Sequence, residues 1–65
     1  MTRKEEIIYA TLELAAESGM KGVSMSQIAE KIGIKAPSLY NHFRSKNEII
    51  KAMYSFLRDQ AQAES

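Results

Sequence analysis

The chain has no cysteine, which excludes disulfides, thiolate nucleophiles and cysteine zinc sites. Its single histidine, His42, cannot build a histidine metal site or a catalytic relay. Three glycines occur, Gly19, Gly22 and Gly33, and none stands in a phosphate-loop pattern. No uninterrupted apolar run approaches the length that spans a membrane. The opening residues, Met1-Thr2-Arg3-Lys4-Glu5-Glu6, lead into a charged helix instead of an apolar leader, so the expected compartment is the cytoplasm. Length is scarce too. A chain of 65 residues makes one domain and buries only about 60% of its unfolded surface. Such a body holds a few kcal/mol of stability and has no room for a deep catalytic cavity. The apolar fraction, 45%, is that of a globular protein and argues against disorder.

The net charge of +1 hides a partition. Residues 1–20 carry Arg3 and Lys4 against Glu5, Glu6, Glu13 and Glu17. Residues 21–51 carry Lys21, Lys31, Lys35, Arg44, Lys46 and Lys51 against only Glu30 and Glu48. Residues 52–65 set Arg58 against Asp59 and Glu64. A basic middle between acidic ends suits a surface turned toward a polyanion. Many ordinary helical domains also show such swings.

The apolar spacing predicts four helices, with no strand, repeat or low-complexity tract. The first covers about 3–18, where Ile7, Ala10, Leu14 and Ala15 recur at helical spacing and Ile8 and Leu12 widen the stripe. Glutamates in its first turn complement the positive helix end, and Gly19 is placed to stop it in a left-handed cap. Met20 should fold back onto the core. Ser24-Met25-Ser26-Gln27 reads as a capping box that starts a second helix over 25–32, with Ile28, Ala29 and Ile32 inward and Gly33 ending it. A third helix is predicted over 36–43, with Pro37 in its first turn, where a missing N–H is harmless. Leu39 and Phe43 form its buried side. A second capping box, Ser45-Lys46-Asn47-Glu48, starts a fourth helix over 46–61. Its apolar arc, from Ile49 to Leu57, is wider than a three-helix core can cover. The plainer reading is a partly exposed apolar surface helix; the favoured one is that Phe56 and Leu57 face another domain or subunit.

The second and third helices are short and only three residues apart. A small residue at Ala29, Gly33 four further on and Leu39 six after that follow the packing grammar of a helix-turn-helix. Ala29 permits a close crossing, and Gly33 supplies positive φ without steric cost. The outward side of the third helix decides what the pair does. A solvated helix face normally carries acid–base pairs, yet no acid lies between Lys31 and Glu48. Lys35, Pro37, Ser38, Tyr40, Asn41 and His42 stand outside or at the edge, with Ala36 near the helix start. Hydroxyl, amide and aromatic groups flanked by positive charge can reach phosphates and base edges in a major groove. Arg44 and Lys46 lie where the next helix begins, and its unpaired amides also welcome phosphate.

From Ile7 to about Met53 the chain resembles the amino-terminal DNA-binding domain of TetR-family transcriptional regulators. The stretches that carry the likeness are Ile7 to Gly19, Ser24 to Ala29, Gly33 to Phe43 and Ser45 to Glu48. Most specific is the Leu39-Tyr40-Asn41-His42-Phe43 core followed by Ser45-Lys46. Two positions depart from the pattern. Ala15 stands where the family usually has phenylalanine. Lys35 replaces a common serine or threonine, so the third helix should lack a side-chain cap.

The resemblance implies an all-α, homeodomain-like three-helix core plus the start of a linking helix. It also implies a homodimer on double-stranded DNA with two-fold symmetry, usually repressing transcription. A small-molecule effector would bind a further helical domain that follows this one in the family and is absent from this chain. Carried over residue by residue, Lys35, Ala36, Pro37, Ser38 and Tyr40 would face bases, with Asn41 joining them. Tyr40, His42 and Lys46 would hold phosphates. Met25, Ser26 and Gln27 would touch the backbone, with Ser26 or Gln27 reaching a base. No cofactor or metal is implied.

Each residue has a plainer reading as well. Tyr40 could be a half-buried ring, His42 a packing or capping group, Lys46 a solvated lysine, and Gln27 spent on its own cap. Gly33, Ala29, Leu39 and Phe43 read as structural, and the methionines as core filler. The competing function is a protein-interaction module docking through Met53, Phe56 and Leu57. Catalysis has no footing, since no acid–base pair is arranged around a pocket. Alone, this chain should be monomeric and bind DNA weakly.

Overall fold

The computed structural model describes residues 1–63, with side chains described through Gln60; Glu64 and Ser65 lie outside the described residues. Four α-helices follow one another: α1 (Arg3–Ser18), α2 (Met25–Ile32), α3 (Ala36–His42) and α4 (Lys46–Ala63). No strand occurs among the described residues. The fold is all-α, in the order that the apolar spacing predicts.

The core draws on all four helices. Ile7, Ile28, Leu39 and Ile49 are wholly buried, one from each, and Ile8, Ala10, Val23, Ala29, Phe43 and Met53 complete the cluster. The α1 contribution is shifted toward its start: Leu12, Leu14 and Ala15 are only partly buried. Thr11, a polar residue outside the apolar stripe, is fully buried instead. Its hydroxyl donates to the Ile7 carbonyl at 2.8 Å, which satisfies the group within its own helix and removes the penalty of burial.

Helix ends follow the capping chemistry, with corrections at both ends of α1, at the end of α3 and at both ends of α4. At α1, Thr2 and Glu5 form a capping box that the apolar pattern alone did not mark: Glu5 N–H donates to Thr2 Oγ1 at 3.1 Å and Thr2 N–H to Glu5 Oε1 at 2.9 Å. Gly19 ends α1 with positive φ, 77°, but its ψ of 156° is extended and not left-handed helical. The chain therefore leaves α1 into a 3-10 turn at Met20–Gly22, and Met20 packs back on the core as expected. At the other junction α3 stops at His42, one residue early. Phe43 adopts extended dihedrals, and its N–H still bonds to the Leu39 carbonyl, so its ring turns into the core. The α4 capping box is displaced by one residue. Glu48 N–H donates to Ser45 Oγ at 3.4 Å, but the Glu48 carboxylate accepts from Arg44 N–H at 3.2 Å. Finally, α4 runs two residues beyond the expected Ala61.

Phe56 is also corrected. Its ring meets Tyr9 of α1 edge-on, at 5.4 Å between centroids and 85° between planes. An edge-to-face pair is a favourable aromatic arrangement, so Phe56 has a partner within this chain. Leu57 and Tyr54 stay exposed.

Candidate nucleic-acid interface

The interface is built by how α2 hands over to α3. Ser24 starts α2 with both bonds of its box: Gln27 N–H to Ser24 Oγ at 3.2 Å and Ser24 N–H to Gln27 Oε1 at 3.0 Å. The Gln27 carbonyl oxygen is thus occupied, while its two amide hydrogens remain as donors. Ser26 and Gln27 are exposed; Met25 is half-buried and packs against the core. Gly33 closes α2 in the left-handed conformation, φ 75° and ψ 30°, which a side chain would strain. Ala29 lies almost fully buried, and Leu39 is sealed beneath α3. The expected helix-turn-helix spacing therefore has its expected geometry.

α3 begins without a side-chain cap: Lys35 has extended dihedrals and makes no capping bond with its side chain. Its carbonyl accepts from the Ser38 and Leu39 N–H groups at 3.0 and 3.3 Å. Because Leu39 and Phe43 point inward, the rest of the helix is left outside. Lys35, Pro37, Ser38, Tyr40, Asn41 and His42 are exposed and Ala36 is half-buried. Tyr40 keeps 49% of its surface accessible. The ion pairs lie elsewhere. Arg3 meets Glu6 at 3.0 Å on α1, and Lys31 of α2 meets Glu13 of α1 at 3.2 Å. Lys35 and Arg44 have no carboxylate partner among the described residues, so their charges are uncompensated.

Two lysines behave in ways that chain order does not announce. Lys4, in the first turn of α1, sits 5.9 Å from the centroid of the Phe43 ring, within cation–π reach. Its charge thus lies at the end of α3, although Lys4 and Phe43 are far apart in sequence. Lys46 is half-buried, and its ammonium donates to the carbonyls of Met20 and Val23 at 3.0 and 3.1 Å. Lys46 therefore stands beside the start of α2, with two of its three N–H groups used inside the protein. The only signal for either placement is tertiary.

The exposed face of α3 thus carries hydrogen-bond donors beside the charges of Lys35 and Arg44, which no carboxylate meets among the described residues. Among the described residues no group of His, Asp and Glu could hold a metal ion, and no helix is long and apolar enough to cross a membrane.

Comparison with known proteins points to one group. The profile of a family described as "Bacterial regulatory proteins, tetR family" matches residues 7–53. The chain is 35% identical over 51 residues to the tetracycline repressor protein class C of Escherichia coli, covering 78% of this chain and 23% of that protein. It is 33% identical over 58 residues to the HTH-type transcriptional repressor KstR2 of Mycolicibacterium smegmatis, covering 89% and 27%. Identity to the HTH-type transcriptional regulator BetI of Proteus mirabilis is 38% over 50 residues, covering 77% and 25%. The chain thus spans about a quarter of the length of these relatives. No solved structure matches it.

Proposed function

This chain belongs to the tetR family of bacterial regulatory proteins, and from that premise we propose that it is an operator-reading domain whose third helix enters the major groove of double-stranded DNA. The observation that carries the reading is the outer face of α3. It is exposed, it holds donors and an aromatic ring, and no acid lies within sixteen positions, 32–47. In this reading Lys35, Ala36, Pro37, Ser38 and Tyr40 face the bases, with Asn41 at their edge. Tyr40 and His42 take phosphates, and the third N–H of Lys46 takes another. Met25, Ser26 and Gln27 bring the first turn of α2 to the sugar–phosphate backbone. The half-buried Met25 contributes through its backbone, and the free amide hydrogens of Gln27 are its base-reaching group. Phosphate contacts set the register, and base contacts set the sequence preference.

Two copies in a longer parent protein would place two recognition helices about 34–36 Å apart on a two-fold symmetric operator. The relatives' names speak of repression, and we carry repression and cytoplasmic action over as part of the same proposal, together with control by a small molecule bound outside this domain. An enzymatic role has no place in it. The experiment is chemical-shift mapping of the chain against a mixed duplex library. Movement concentrated in residues 35–42 and 25–27 supports the reading; stillness there with movement elsewhere sinks it. A second reading, docking of a protein on α4, has exposed Tyr54 and Leu57 in its favour. It requires Leu57→Asp to abolish complex formation while Tyr40→Ala does nothing.

A further inference from the structure

The family resemblance implies a phosphate for Lys46, yet its ammonium rests on the protein's own backbone. The two carbonyls it holds, those of Met20 and Val23, belong to the connection between α1 and α2. The Met20 carbonyl also accepts from Val23 N–H at 3.2 Å, so amide and ammonium share one acceptor and the turn closes around the lysine. Val23 is nearly fully buried and directly precedes Ser24, the residue whose capping box starts α2. Bonds from a charged donor are stronger than those between neutral groups, and partial burial shields this one from solvent screening. Lys46 is itself the first residue of α4. A single side chain therefore joins the first turn of α4 to the residues that place the first turn of α2.

We propose that Lys46 is a positioning residue of the DNA interface: by holding Met20 and Val23 it sets where α2 presents Ser26 and Gln27. A phosphate contact through its remaining N–H is compatible with this role and separable from it. Holding the turn needs no DNA; the effect on affinity rests on the DNA-binding reading above.

The test compares the full 65-residue chain with Lys46→Met, which keeps an apolar stem and removes the donors. Without DNA, hydrogen exchange at the Val23 amide should quicken on the order of tenfold, the scale of one lost charge-assisted hydrogen bond. Exchange at Ile8 and Thr11, in the middle of α1, should not change. Should Lys46→Met not fold, the parent chain supplies a second readout. The Lys46 ammonium signal should persist in cold solution where those of the exposed Lys21, Lys35 and Lys51 are lost to exchange with water. With a duplex, Ser26→Ala should cost less affinity in the Lys46→Met background than in the parent, because the first turn of α2 is already displaced. Additive costs, an unchanged Val23 amide or a Lys46 ammonium that exchanges like the others would each overturn the proposal. A salt slope shallower by about 0.9 beside additive costs would leave a phosphate contact alone. If the parent binds no duplex at all, the DNA reading fails, and the exchange measurements still decide what Lys46 does.

Discussion

The Ile34 N–H donates to the Ala29 carbonyl at 3.0 Å, bridging the turn that reorients the chain from α2 to α3. Gly33 lies between them in the left-handed conformation, and its own N–H meets the Ala29 and Glu30 carbonyls. This pattern satisfies carbonyls that the end of a helix otherwise orphans. It also fixes the crossing of the two helices, because Ile34 is partly buried against the core immediately before α3 begins. The orientation of the exposed face of α3 descends from that one turn.

Gly33→Ala should therefore destabilise the domain by about 1 kcal/mol through backbone strain. A Cβ at Gly33 would meet open space, so crowding contributes nothing. Urea denaturation measures the loss; an unchanged or higher midpoint would contradict the role given to this turn.

Tyr40 and Leu39 are neighbours with opposite fates. Tyr40→Ala should weaken duplex binding by roughly 1–3 kcal/mol and move stability by no more than about 0.5 kcal/mol. Leu39→Ala, which opens a cavity at a wholly buried site, should cost about 2–5 kcal/mol of stability. That is comparable with the whole stability of a domain of this size. Paired melting curves and titrations check both; a Tyr40→Ala chain that melts early but binds normally reverses the assignment.

Duplex binding should be strongly salt-dependent. With about four phosphates neutralised per domain, log K should fall against log salt with a slope of about −3.6. Fluorescence titration across salt concentrations measures it, and a flat line is incompatible with an electrostatic footprint on DNA.

The Thr2–Glu5 box gives α1 a pH dependence. The backbone N–H of Thr2, bonded to the Glu5 carboxylate, holds its pKa below the ordinary 4.5. A carboxyl group with a depressed folded-state pKa stabilises the fold above its unfolded value, and that stability is lost as pH falls through the folded value. The parent should lose stability on acidification below about pH 4.5, and Glu5→Gln, which has no carboxylate to protonate, should lessen that part of the acid loss. Thr2→Ala should cost about 1 kcal/mol at neutral pH. Thermal melts from neutral pH into acid decide it: equal acid sensitivity in the parent and Glu5→Gln removes the box from the explanation.

In dilute solution the isolated chain should sediment as a monomer and bind a single half-site weakly. A tight dimer at micromolar concentration would mean that α4, with Leu57 and Tyr54 exposed, suffices for pairing.

Much of this protein was readable along the chain. Helical periodicity, the Ser24–Gln27 box, Pro37 in a first turn and Gly33 at a helix end are local signals. Local bonding satisfies them wherever the segment lies, so the helices sit where the pattern puts them. Which side of α3 turns outward was equally legible, because Leu39 and Phe43 are the only large aliphatic and phenyl side chains of residues 36–43 and burial of apolar area leaves the other face to solvent. The Thr2–Glu5 box lies before the first apolar repeat, and a first-turn glutamate serves the helix dipole and a capping box alike.

What the chain order could not decide depends on contacts between distant residues. The partner of Phe56 is Tyr9, a cation from α1 meets Phe43, and the Lys46 ammonium lies on Met20 and Val23. An aromatic ring or a lysine on a helix surface carries no local mark of its target. The same side chain serves solvent, a ligand or the protein's own backbone according to what packing brings within reach. The amino-acid sequence thus determined the helices, the caps of α2 and the acid-free face. The tertiary structure alone decided where α1 and α4 meet that face, since the distances that govern charge and hydrogen bonding exist only once the helices are packed.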